Sequence, residues 1–289
     1  MEWTGWLLGL AGSILIAGTA YAKRSLTGSG FAAAVVMGTL LVVYGGPVWF
    51  GTLIAFFVSS TLLSKLKRAA KREAESGYEK SGRRDAGQVF ANGGLALLLC
   101  LADRLWPDPL WLAAFVGALA AVNADTWATE IGGLSRSRPR SILTGARVAP
   151  GTSGGVTPLG LAASAAGGLF VGAVAAALLH ATPAPAAAIA AALALGPAEA
   201  AALTAGVLPL VLAAFAGGMA GSLADSAAGA AWQRMYRCAA CGKEVERPEH
   251  CDRPAAHLRG VRWMGNDAVN VLGSLAGGAA AALVWLAAA

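Results

Sequence analysis

Residues 25–64 read SLTGSGFAAAVVMGTLLVVYGGPVWFGTLIAFFVSSTLLS, forty positions without one charged side chain. A helix needs about 20 apolar residues to cross a hydrocarbon core. Forty is enough for two crossings, and Gly45-Gly46-Pro47 stands near the middle, where a tight turn divides the run. The stretch therefore reads as two spans joined by a short loop. The same reading extends outward. Charges are also absent from Trp3–Ala22, Val148–Ala198, Ala200–Ala224 and Ala268–Ala289, and His180 is the one titratable group in the 51 residues of the second of these.

Composition agrees. The 289 residues are 56% hydrophobic and only 13% charged, about half the charged share of a soluble domain. Mean hydropathy is +0.59. These values exclude disorder, a coiled coil and a nucleic-acid-binding domain, and they argue against a soluble enzyme. The fold class is all-α: one polytopic membrane domain over 1–289, with a hydrophilic insert at 230–266. Breakers and charges place about eight spans near 3–22, 30–45, 48–65, 86–103, 109–127, 158–180, 203–229 and 267–287. The Pro-containing segment 181–200 has an apolar part, Ala186–Leu195, too short to span, and a ninth span there is the alternative. Ala20-Tyr21-Ala22 has the look of a signal cleavage site. Glu2 and the missing basic n-region favour a retained first span.

The net charge of +6 is mostly topology. Of the 22 basic residues, 21 fall in loops 23–29, 65–85, 128–157 and 230–266, and only Arg104 lies on the other side. By the positive-inside rule those loops are cytoplasmic and both termini are outside, in a multi-pass protein of the plasma membrane.

A carboxylate at membrane depth costs about 2.5–3.5 kcal/mol on insertion scales, so acids at span ends carry information. Asp85, Asp125, Glu130, Asp225 and Asp267 all sit at the expected cytoplasmic ends of spans, with Asn92, Asn123, Asn266 and Asn270 close by in sequence. A shared polar site explains the set better than five separate interfacial residues. In Asn123-Ala124-Asp125-Thr126-Trp127-Ala128-Thr129-Glu130, Asp125 and Thr129 share a helix face. Oxygen ligands without histidine suit Mg²⁺. Pro150-Gly151-Thr152-Ser153-Gly154-Gly155-Val156-Thr157 precedes a span. Its glycines free the backbone to aim N–H groups at an anion, although no Gly-Lys-Ser/Thr follows as in a Walker loop. Gly221-Ser222-Leu223-Ala224-Asp225-Ser226 places one acid between two hydroxyls, and Asp85, Gln88 and Asn92 form a polar stripe beginning beside Arg83 and Arg84.

The insert carries Cys238-Ala239-Ala240-Cys241-Gly242, then His250, Cys251 and His257. Cys-x-x-Cys followed by His-Cys is a complete ligand set for a structural Zn²⁺, and a reducing compartment argues against disulfides. Cys238, Cys241, His250 and Cys251 are the expected ligands, with His257 as the substitute for His250. Cys100, mid-span, reads as a small apolar residue.

Taken in order, five pieces resemble one family. They are Arg84-Asp85-Ala86-Gly87-Gln88-Val89-Phe90-Ala91-Asn92-Gly93, Ala124–Gly132, Pro150–Thr157, Gly221–Ser226 and Trp263-Met264-Gly265-Asn266-Asp267-Ala268-Val269-Asn270. The family is the membrane family of domain of unknown function 92, which includes the transmembrane protein 19 group and the plant phytyl-phosphate kinase of tocopherol synthesis. The resemblance implies a kinase that converts an isoprenoid monophosphate to its diphosphate with CTP or ATP, and a distant similarity to phytol and dolichol kinases. On that reading Asp125, Glu130 and Asp225 hold Mg²⁺. The Gly151–Gly155 amides with Thr152 and Ser153 cradle phosphates, and Arg83, Arg84 and Arg147 neutralise charge. Gln88, Asn92, Asn266, Asp267 and Asn270 order the acceptor phosphate or the carboxylates, with Asp85, Thr129 and Ser222 beside them. The partners are a membrane lipid and a nucleotide. An ion-coupled transporter or lipid flippase is the alternative, and a midplane site open to both sides would be its mark.

Overall fold

The computed structural model describes residues 3–65, 82–181 and 207–288. The ambiguous segment 181–200 lies outside the described residues except for Ala181, as does most of loop 65–85. Seven described helices are long and apolar enough to cross a membrane. They are α1 (Trp3–Ala22), α2 (Gly28–Lys65), α3 (Ala86–Leu105), α4 (Pro109–Gly132), α5 (Pro158–Ala181), α6 (Val207–Ala231) and α7 (Asn266–Ala288).

The 38 residues of α2 are not one rod. Gly46 leaves the helix at φ 70°, ψ −158°, directly before Pro47. Its positive φ is open to glycine, and Pro47 then starts the second arm without needing an amide donor. The arms fold back on each other. A Cβ on Gly38 would lie 3.2 Å from the ring of Phe50, and Lys65 Nζ donates to Lys23 O, back near the start of the first arm. The seven helices thus supply eight crossing segments, as the Gly-Gly-Pro turn predicts.

Helix α4 is the centre of the bundle. Residues Leu112 through Ala124 are buried without a break, and α2, α3, α5, α6 and α7 all pack on it. Lipid provides no hydrophobic drive between helices, so close backbone contact must hold them. Gly117 on α4 shows how close. A Cβ there would collide with the Cβ of Ala281 and come within 2.7 Å of Gly277 O on α7. Polar bonds add to this packing. Ser164 of α5 and Ser222 of α6 join hydroxyls at 3.0 Å. Asn123, fully buried, accepts from Ser59 at 3.0 Å and donates to Gly167 O at 2.9 Å. Outward faces are apolar, with Leu7, Leu8, Leu15, Leu98 and Leu283 well exposed, as a lipid-facing surface requires.

The loops carry short strands. β1 (Arg140–Ser141) pairs antiparallel with β2 (Gly155–Val156). In the insert, β3 (Met235–Cys238), β4 (Glu244–Val245), β5 (Glu249–His250) and β6 (Arg253–Arg259) form a sheet in the order β4-β3-β6-β5. This small sheet sits on the end of α6. Arg259 Nη1 donates to Ala230 O at 2.6 Å, satisfying a terminal helix carbonyl with a cation.

Candidate active site

One end of the bundle encloses a polar cavity of about 340 Å³. Helices α2 to α7 and the segments between them build it, each for a local reason. Helix α4 contributes its last two turns, where Asp125, Thr129 and Glu130 line the wall. Helix α6 contributes Ser222 and Asp225 six or more residues before its end, and α7 contributes Asn266 and Asn270 from its first turns. Helix α3 contributes Gln88 and Asn92, one helical turn apart, and Arg84 reaches in from just ahead of it. Gly151, Thr152, Ser153, Gly154 and Gly155 close one side ahead of α5. Fifteen residues expected at the site from sequence thus meet in one space, drawn from segments as much as 186 positions apart.

Arg84 is fixed by its backbone. Its N–H donates to Ser25 O at 2.9 Å, and its carbonyl accepts from Thr27 N at 3.0 Å. Gly30 leaves room for that carbonyl, and any Cβ would strike it. The guanidinium lies over the rings of Phe56 and Phe57 at 5.9 and 5.6 Å. Burial pulls its pKa down to about 10, opposed in part by Glu130, so it stays cationic at neutral pH.

Four expected residues stand elsewhere. Asp85 caps α3, accepting from Gln88 N at 2.9 Å while Gln88 Oε1 accepts from Asp85 N, a reciprocal capping box. Arg83 turns away, donating to Leu26 O at 2.8 Å beside the Tyr21 ring. Arg147 is exposed in a bridge to Arg140. Asp267 occupies the first turn of α7 but does not line the cavity. Asn123, adjacent in sequence to the acids, is spent on helix-to-helix bonds deeper in the bundle.

The Gly-rich loop is also arranged differently from a plain anion cradle. The amides of Thr152 and Gly155 close turns onto Ala149 O and Thr152 O, which withdraws both from a ligand. Gly154, at φ 80°, is needed for a close approach, since a Cβ would lie 2.7 Å from Ser226 O and strike Ala230 on α6. The hydroxyl of Ser153 donates to Gln233 Oε1 at 2.5 Å.

Gln233 is a cavity residue that sequence reasoning misses. It is 2% exposed, and its Nε2 has no hydrogen-bond partner. Glu246, on the turn after β4, is a second: 7% exposed, it lines the cavity within electrostatic reach of Asp225. Both belong to the insert, whose cysteines drew attention to metal binding alone. Their one sequence signal is polarity in a segment next to the end of a span.

The three acids expected to hold Mg²⁺ share the cavity. Among the described residues, however, the one group of three or more metal-type ligands that converges is Cys238, Cys241, His250 and Cys251, with ligand atoms within 4.8 Å of one another. Cys251 Sγ and Cys241 Sγ lie 3.2 and 3.5 Å from His250 Nδ1. The Cys238 thiol is pushed down to about 6, first by the Cys241 backbone N–H and then by His250. Hydrogen bonding with Cys241 pushes Cys251 up to about 11. This group can hold a metal ion such as zinc. His257 is not part of it. It sits edge-on to Tyr236, 5.7 Å between ring centres.

Fold and site define a multi-pass helical membrane protein with a polar cavity at one end of the bundle and a Cys/His metal-type cluster in the insert that lends the cavity two of its residues. The chain belongs to the family described as integral membrane protein DUF92, whose model matches residues 10–278. It is 31% identical over 279 residues to Protein PGR of Arabidopsis thaliana, covering 91% of this chain and 90% of that one. It is 27% identical to an uncharacterized membrane protein of Methanocaldococcus jannaschii, covering 83% and 84%. Protein VTE6, chloroplastic, of Arabidopsis thaliana is 27% identical over 191 residues, covering 63% of this chain and 57% of that one. No solved structure matches.

Proposed function

We propose that this protein is a prenyl-phosphate kinase, moving a phosphoryl group from CTP or ATP to an isoprenoid monophosphate related to phytyl phosphate. The cavity carries the reading: it gathers carboxylates, a fixed arginine, amide side chains and a Gly-rich loop at one end of the bundle. Phosphoryl transfer asks a protein for positioning and charge neutralisation more than covalent work. Arg84 offers a planar cation to a phosphate. Asn266, Asn270, Thr129 and the Thr152 hydroxyl offer donors to phosphate oxygens. Mg²⁺ usually takes one or two carboxylates and fills its sphere with phosphate oxygens and water. The separate carboxylates suit that pattern, with Asp125 and Asp225 as principal ligands and Glu130 as support. The bound ion would neutralise charge between donor and acceptor phosphates. The resemblance to the plant phytyl-phosphate kinase points the same way. So does the location in the terminal turns of four helices, where nucleotide has access if the basic loops are cytoplasmic. A carrier would instead place its ion site near the midplane.

We assign Zn²⁺ to the Cys/His cluster as a structural ion. Its position next to Gln233 and Glu246 in chain order makes it a support for the cavity wall. The test of function is direct. Purified protein in detergent is incubated with polyprenyl monophosphates, Mg²⁺ and CTP or ATP. Diphosphate product is expected from wild type and none from Asp125→Asn. Equal background from both, across the lipid and nucleotide panel, sinks the kinase reading.

A further inference from the structure

A second cavity, of about 60 Å³, opens between α1, both arms of α2, and α3. Its lining is apolar, including Leu26, Met37, Leu53, Ile54 and Phe57. Four polar residues break that pattern: Ser13, and the series Arg84, Gln88 and Asn92. The last three also line the polar cavity. They recur every four positions, so they run as one stripe into α3. This stripe is a shared wall, with carboxylates and the Gly-rich loop on one side and hydrocarbon on the other.

Arg84 makes the junction concrete. Its guanidinium stacks on Phe56 and Phe57, which belong to the apolar lining, yet it also faces the acidic cavity. The turn that clamps its backbone, Ser25–Thr27, joins the helices that enclose the apolar pocket. The Arg84 cation and the apolar lining are thus joined through one turn and two aromatic rings.

A molecule that fills both cavities has an anionic head and a hydrocarbon tail. The apolar pocket has far less volume than the polar one, about 60 Å³ against about 340 Å³, which suits one chain rather than the pair carried by a phospholipid. We infer that the α1–α2–α3 pocket is the tail site, and that the tail of a single-chain prenyl monophosphate runs through it from a phosphate held at Arg84. This rests on the substrate class proposed above and adds where, and by which residues, the tail is read.

The test measures binding, not turnover. Full-length protein in detergent is titrated with a twenty-carbon prenyl monophosphate, a five-carbon prenyl monophosphate and phosphatidic acid. Wild type should bind the twenty-carbon ligand at least about ten-fold more tightly than the five-carbon one, from the added apolar burial. Phosphatidic acid should compete poorly. Leu53→Trp fills the pocket and should erase the tail preference, bringing twenty-carbon affinity down to the five-carbon level. Where Leu53→Trp does not fold, a diazirine placed near the head end of the twenty-carbon tail gives the same information in wild type, by labelling α1, α2 or α3. The inference is overturned by equal affinity for both tail lengths, by unchanged long-tail binding in Leu53→Trp, by strong competition from phosphatidic acid, or by labelling confined to α5–α7. Tail-dependent binding without any diphosphate product would overturn the kinase reading and leave the tail site standing. Turnover combined with tail-blind binding would do the reverse.

Discussion

The cavity has two kinds of wall. One belongs to the bundle, where α4, α6 and α7 meet, and the other to the insert, where β3–β6 stand outside the membrane segments. The first is held by backbone proximity, with Gly117, Gly217 and Gly277 allowing contacts that any side chain would block. The second has little apolar mass, with Met235 and Val245 among its few fully buried residues, and it gathers four soft ligands at one end. Neither region can rely on an ordinary hydrophobic core. In lipid the alternative to helix contact is equally apolar, and a sheet of two- to seven-residue strands is too small to bury enough surface. Close packing is the substitute in the bundle, and a Cys/His cluster able to hold a metal ion is the one available to the insert.

The contrast breaks most completely in the bundle. Gly117→Leu drives side-chain atoms into Ala281 and Gly277 of α7, and should exceed the roughly 1–3 kcal/mol typical of overpacking. The expected result is no monodisperse peak in detergent gel filtration. Gly94→Leu is the matched control, because a Cβ there meets only Phe90 at 3.9 Å, and it should elute as wild type.

Disabling the insert should be strong but local. Cys238→Ser with Cys241→Ser should lower bound zinc from about one ion per chain to none by metal analysis. Proteolysis should then cut within 235–259 while the helical circular dichroism signal persists. Equal, negligible zinc in wild type and variant would reject the zinc assignment, and loss of helical signal would show that the two walls do not fold separately.

Smaller changes sharpen the comparison inside the bundle. Asn123→Ala removes bonds to Ser59 and Gly167, and should cost about 1 kcal/mol, seen as a lower Tm with ligand affinity retained. Asp85→Ala loses the cap of α3 and should also cost about 1 kcal/mol. Its diphosphate production should persist, whereas Asp125→Asn should lose it. At the seam between the walls, Gln233→Leu removes the acceptor for Ser153, with an expected loss of about 0.5–1.5 kcal/mol. Its distinguishing effect should be faster hydrogen exchange confined to residues 150–155.

Much of this architecture is legible in order along the chain. The charge-free runs locate α1, both arms of α2, α5 and α7 to within a few residues, because bilayer transfer costs are local and add residue by residue. Gly46-Pro47 reveals the fold of α2 because only a backbone break there is compatible with two short crossings. Cys238, Cys241, His250 and Cys251 declare themselves by spacing. Side-chain rotation about a helix axis is not legible in this way. In an Ala- and Gly-rich helix the apolar pattern is nearly uniform, so periodicity does not say which face turns inward.

Sequence alone therefore determined a multi-pass helical protein, its family resemblance, and a set of polar groups at one level of the bundle. Packing decided their separate uses. Asp125 and Asp225 face a common space, Asp85 caps a helix, Asn123 ties helices together, and Gln233 and Glu246 arrive from an insert that looked purely metal-binding. The reason is physical. The cost of burying a residue in lipid depends on that residue and its neighbours along the chain, whereas membership of a cavity depends on which helices small side chains allow to touch.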